Sequence, residues 1–91
     1  MQIRDLRWND INLEHIGVHG VTPEEVEEVC YSAAALFTRA GRRRYQAIGQ
    51  TEFGRFLTIF LDSEGKGSYY PVTARDADAG ERRLWGRLRR R

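Results

Sequence analysis

Arg55-Phe56-Leu57-Thr58-Ile59-Phe60-Leu61-Asp62 is the stretch on which the fold of this chain turns. It is the clearest strand in the sequence and is apolar on both faces, so it belongs in the middle of a sheet. Thr51-Glu52-Phe53-Gly54 before it reads as a turn, and residues 43–50 as the strand leading into that turn. Residues 35–39 form a further strand. After the central stretch, residues 63–67 read as a loop and residues 68–75 as the last strand, where Pro71 points to an edge or a bulge. Residues 3–8 are a candidate for a short first strand.

Helices flank this core of strands. Asn9 or Asp10 can cap a first helix running to about His19, with Ile11, His15 and Val18 in one narrow stripe, Leu13 and Ile16 extending it, and Glu14 and Gly17 facing away. Gly20 can close that helix in the left-handed conformation. Thr22-Pro23-Glu24-Glu25 is the strongest local signal. Thr22 is an N-cap, Pro23 occupies the first helical position and Glu25 completes a capping box. Val26, Val29, Cys30 and Ala33 then recur at helical spacing, which joins two helices through a short turn as an αα-hairpin. Asp78 and Glu81 form a second capping box and open a final helix. Its buried stripe is Leu84, Trp85 and Leu88, and Arg83, Arg87 and Arg90 line another face. The expected architecture is α+β in two layers, within a single domain over residues 1–91. The N-terminal αα-hairpin and the C-terminal helix pack on one side of a mostly antiparallel four-stranded sheet.

Charge is divided along the chain. Residues 1–38 carry two basic and seven acidic groups, whereas residues 39–91 carry thirteen basic and six acidic ones. Fourteen of the fifteen cations are arginine, whose planar fork matches phosphate and stacks on bases. Such a half points to an anionic partner such as RNA, DNA or an acidic protein. A lone cysteine excludes an internal disulfide, the charged first ten residues do not look like a leader, and no apolar run is long enough to span a bilayer. The expectation is a cytoplasmic protein with no membrane partner.

Several pieces, in this order, resemble the BrnT family of toxins from type II toxin–antitoxin pairs, itself similar to the RelE-like ribonuclease fold. They are Trp8 with Asp10; His19-Gly20-Val21 leading into the Glu-rich second helix; Arg44-Tyr45 with Ala47-Ile48-Gly49; Gly54-Arg55 before the apolar strand; and Thr73-Ala74-Arg75 with Glu81-Arg82-Arg83. The resemblance covers about residues 6–86. It departs from the family pattern in the first helix, which has no lysine, and in a Trp-to-His spacing one residue short, so it points to a divergent branch. It implies a metal-independent endoribonuclease acting on single-stranded RNA, without cofactor. It also implies neutralisation by an antitoxin with a ribbon-helix-helix DNA-binding domain, in a homo-dimer or hetero-oligomer. A binding module of the same fold without catalysis is the alternative.

Metal-free RNA cleavage needs a group to take the 2′ proton, a group to protonate the leaving 5′ oxygen, and cations at the phosphoryl oxygens. Arg75, at a strand end before a helix, is the first candidate for phosphate, against an ion pair with Asp76, Asp78 or Glu81. Glu81 falls within the buried stripe of its helix, where a carboxylate must find a partner; it is either a base or a cap. His19 is a candidate for proton transfer, whereas His15 reads as a core histidine. Arg44, Arg55, Arg83 and Arg87 are the further RNA- and phosphate-binding candidates. Tyr45, Tyr69 and Tyr70 either stack on bases or pack. His15 and His19 have metal-ligand spacing but no third ligand nearby, so no metal site is expected. Cys30 reads as core.

Overall fold

The computed structural model describes residues 1–89. Its elements in chain order are β1 (Asp5–Leu6), α1 (Asp10–Val18), α2 (Pro23–Cys30), β2 (Leu36–Arg39), β3 (Arg44–Gln50), β4 (Phe56–Gly65), β5 (Ser68–Asp76) and α3 (Ala79–Arg89). The strands lie in the order β1-β5-β4-β3-β2. Neighbours from β2 to β5 are antiparallel, and β1 joins β5 in parallel through Asp5–Ser68 and Leu6–Tyr69. The sheet is thus five-stranded and mixed, not four-stranded. The fifth strand falls within the candidate at residues 3–8 but has only two residues, and the four-stranded reading did not count it.

β4 occupies the centre, as its two apolar faces require. It runs on to Gly65, so the expected 63–67 loop shrinks to a tight turn at Lys66-Gly67, both at positive φ (56° and 83°). Pro71 sits at a register shift opposite Phe60 and Leu61, a bulge on the stretch of β5 that lies beyond its pairing with β1.

The first two helices begin and end as their caps dictate. Asn9 and Asn12 form a reciprocal capping box on α1, as do Thr22 and Glu25 on α2. Gly20, at φ 68°, lets the Gly20 and Val21 amides donate to the Gly17 and Ile16 carbonyls, closing α1 in a Schellman turn. α1 does not bury the expected stripe, however. Ile11 and Val18 are 62% and 76% exposed, while Asn12 and Ile16 are buried. Apolar side chains are spread around this helix, so tethers decide its rotation. Asn12 Nδ2 donates to the Arg7 carbonyl and Asn12 Oδ1 accepts from the Asn9 amide, turning that side inward.

The two helices do not form a self-packed hairpin. α1 docks on β5, and α2 docks on β3 and β4. On that face Tyr45, Ala47 and Gly49 stand beside Leu61, Ile59 and Leu57, and the core closes with Ile16, Val21, Val26 and Val29. A Cβ at Gly49 would come within 2.8 Å of Val29 Cγ1, so α2 lies directly on the β3 backbone. Ala33 is exposed and lies beyond the end of α2.

α3 lies on the other face. Gln46 and Ile48, whose neighbours are Phe60 and Thr58, point away from α2. There Trp85 packs edge-on against Phe56 at 5.0 Å and donates Nε1 to the Ala34 carbonyl at 3.0 Å. The expected two-layer arrangement is therefore replaced by a sheet with helices on both faces, because both faces of β4 carry apolar residues to be covered. No described helix is long and apolar enough to cross a membrane.

Candidate nucleic-acid interface

The junction between β5 and α3 assembles a connected polar group. Glu81 and Asp78 cap α3 reciprocally: the Glu81 amide donates to Asp78 Oδ1 at 2.8 Å, and the Asp78 amide donates to Glu81 Oε1 at 2.9 Å. This box turns the Glu81 carboxylate back onto the sheet. Arg75 Nη1 and Nη2 meet Oε1 and Oε2 at 2.9 Å each, a bidentate fork, and Gln46 Nε2 donates to Oε2 at 3.0 Å. Thr58, fully buried, lies underneath with its hydroxyl making no completed hydrogen bond. Burial by itself would push the Glu81 carboxyl up. The Arg75 fork, the Asp78 amide and the neighbouring Thr58 hydroxyl outweigh it and hold the group below its ordinary value. Two residues expected to act in chemistry, Arg75 and Glu81, are thus brought together, each as the other's partner.

His19 is not with them. It is the exposed C-cap of α1, and its carbonyl accepts from Arg55 Nη2 at 3.3 Å. Arg55 also donates to Asp76 Oδ1 and the Gly20 carbonyl at 2.8 Å, and to Glu25 Oε1 at 3.1 Å. Asp76 neighbours Leu57, while Arg75 neighbours Thr58. The His19–Arg55–Asp76 cluster therefore lies on the α1/α2 face, with the sheet between it and Glu81. Arg55 works as a staple joining the α1–α2 turn to β4 and β5. Arg44 forms a bidentate pair with Asp62 at 2.8 and 3.0 Å on the α3 face. It is 44% exposed, so the pair is worth only about 0–1 kcal/mol.

These pairs make stability acid-sensitive with a definite sign. Arg44 lowers Asp62, Arg55 lowers Asp76, and Glu81 is lowered as described. A depressed carboxyl contributes its stability above the ordinary values, 3.8 for aspartate and 4.5 for glutamate. That contribution is lost as pH falls through the folded values. Thermal melts between pH 7 and pH 3 are expected to show Tm falling from about pH 4.5 downward. The fall should be shallower in Glu81→Gln. A Tm that is level or rising on acidification contradicts these pairings.

Three further cations without an ion pair among the described residues lie elsewhere on the same face, as Arg4, Arg42, Arg43 and Lys66 do in other places. Arg83 and Arg87, together with Arg82, surround Gly86 on the outer side of α3 and line a shallow depression there. All three are exposed. None of the three side chains has an ion pair or hydrogen bond among the described residues. Gly86 leaves the space between them empty, since a Cβ at that position would meet nothing within 4 Å. The sequence reading missed Arg82 and Gly86 by choosing the Arg83–Arg87–Arg90 stripe; Arg90 lies outside the described residues. The usable signal was the i, i+4 spacing of Arg82 with Gly86 and of Arg83 with Arg87.

The remaining candidates have structural places. His15 is exposed rather than core, with Nδ1 3.3 Å from the Val72 carbonyl oxygen. Tyr45 and Tyr69 pack edge to face at 6.0 Å, and the Tyr70 hydroxyl donates to Asn9 Oδ1 at 3.2 Å. Cys30 is buried in the core, where burial pushes its thiol up to about 12, an unreactive group. No group of three metal-ligating side chains stands together among the described residues. The sequence matches no protein-family model and no curated protein.

Proposed function

We propose that this chain is a cytoplasmic toxin-like protein of the BrnT kind that cleaves single-stranded RNA without a metal. A partner antitoxin with a ribbon-helix-helix domain would neutralise it. The observation that carries the reading is the trio Arg82, Arg83 and Arg87, exposed and without carboxylate partners on the helix that also holds the Arg75–Glu81 pair. Two consecutive helices before four antiparallel strands and an arginine-rich helix after them support a RelE-like architecture.

In this reading the α3 arginines hold backbone phosphates. An arriving phosphate takes the Arg75 fork from Glu81, since carboxylate and phosphate accept the same two parallel hydrogen bonds. Glu81, ionised at neutral pH, then accepts the 2′-hydroxyl proton as that oxygen attacks phosphorus. The departing 5′ oxygen takes its proton from water, because His19 lies across the sheet. A second reading, binding without cleavage, is favoured by one observation: both Glu81 oxygens already accept two hydrogen bonds each.

The holding role is tested with a labelled single-stranded RNA titrated at several salt concentrations. Replacing Arg82, Arg83 and Arg87 together by Gln should weaken binding. It should also reduce the slope of log affinity against log salt by about 2, at about 0.7 per phosphate contact. An unchanged slope would show that α3 does not hold the backbone.

A further inference from the structure

One row of half-buried side chains crosses four strands of the α3 face beside that helix: Thr38, Gln46, Phe60 and Thr73, each paired with the next in register. The adjacent row, with Ile48, Thr58 and Arg75, lies beneath the start of α3. Phe60 is the only aromatic in this row and is half-buried. The Arg75 guanidinium lies over that ring, 6.0 Å from its centroid, and its two-pronged fork, held by Glu81 here and by phosphate in the RNA reading, fixes its plane. A planar guanidinium over a ring makes a π-rich site that carries a cation. Gln46 on one flank is committed to Glu81 and Thr38. On the other flank, the Thr73 hydroxyl has no hydrogen bond among the described residues.

We propose that Phe60 and the guanidinium of Arg75 form a stacking site for one unpaired nucleobase, with the Thr73 hydroxyl at the base edge. The proposal rests on the RNA reading above and narrows it to a strand that offers a splayed base. A base inside a duplex is stacked on both sides and cannot lie flat on the sheet. Charge favours the same occupant, because the unpaired arginines of α3 supply cations for the backbone that carries the base. Stacking on an aromatic side chain tolerates any base, so the site selects single-stranded over double-stranded RNA more than it selects sequence.

The experiment compares two labelled probes at one salt concentration: a short single-stranded RNA and an abasic oligomer of the same length and backbone. The wild-type protein should bind the RNA more tightly than the abasic probe by about 5- to 150-fold. Phe60→Leu, which keeps an apolar side chain, should lose most of that preference while binding the abasic probe as before. Phe60→Tyr, which keeps the ring, should retain it. Equal wild-type affinity for the two probes overturns the stacking site without recourse to any variant, as does a Phe60→Leu protein that keeps the full preference. A wild-type protein that binds neither probe overturns the RNA reading and the stacking site together.

Discussion

Truncating Ile59 to alanine is expected to lower the free energy of unfolding by about 2–5 kcal/mol. Ile59 is completely buried and lies on β4, the middle strand of the sheet. It stands beside Ala47 on one neighbour and Ala74 on the other, under the α1/α2 layer. Its flanking neighbours on the sheet are small and cannot extend to fill the space left by the lost side chain. The penalty therefore contains both the transfer of the missing carbons and the residual cavity. Domains of this size have a total stability of about 5–15 kcal/mol, so urea unfolding should show a large drop in midpoint with an unchanged slope. A loss below about 1 kcal/mol would mean that β4 is not the packed centre.

Glu81→Ala is expected to cost about 2–4 kcal/mol, through the lost cap and the lost shared acceptor. The carboxylate is 15% exposed, while Arg75 is 37% exposed and can turn to water, which limits the cost of stranding it. The Asp78 amide and the Gln46 amide lose their acceptor as well. Glu81→Gln keeps an oxygen for the Asp78 amide and should lose less. A double-mutant cycle with Arg75→Ala should return a coupling of about 0.5–3 kcal/mol, measured by chemical denaturation. Additive effects would contradict the fork. Arg75→Ala alone is also destabilising, because it leaves a largely buried carboxylate with weaker partners. Functional comparisons on that variant therefore need temperatures well below its Tm.

The parts of the fold legible in the sequence were those made by neighbours along the chain. Thr22 with Glu25, Asp78 with Glu81, and Gly20 at the end of α1 each act over a few residues, and each stands where local reasoning puts it. The centrality of β4 was legible for the same reason. The two-faced apolar pattern of that strand also implied helices on both sides of the sheet, an implication the two-layer reading did not follow. The rotation of α1 was not legible. Ile11 and Val18 satisfy a helical wheel as well as Ile16 does, and only the tether from Asn12 to Arg7 distinguishes them. β1 was too short to signal its pairing.

The candidate site divides in the same way. Glu81 was recognisable as a cap and as a carboxylate needing a partner, and Arg75 was among its possible partners. The fates of Arg44 and Arg55 depend on Asp62, Asp76 and Glu25, which lie 18 to 30 residues away. Local pattern carries no record of such pairings. It could not separate arginines already neutralised by carboxylates from those, Arg82, Arg83 and Arg87 among them, that have no ion pair among the described residues.

The most direct measurement is incubation of a labelled single-stranded RNA with the purified protein in EDTA, beside Arg75→Ala held well below its melting temperature, with the product ends identified. Cleavage that leaves a 2′,3′-cyclic phosphate and falls by at least about 100-fold in the variant is the predicted result. No cleavage above the variant, from a wild-type protein that melts cooperatively, would contradict the ribonuclease reading.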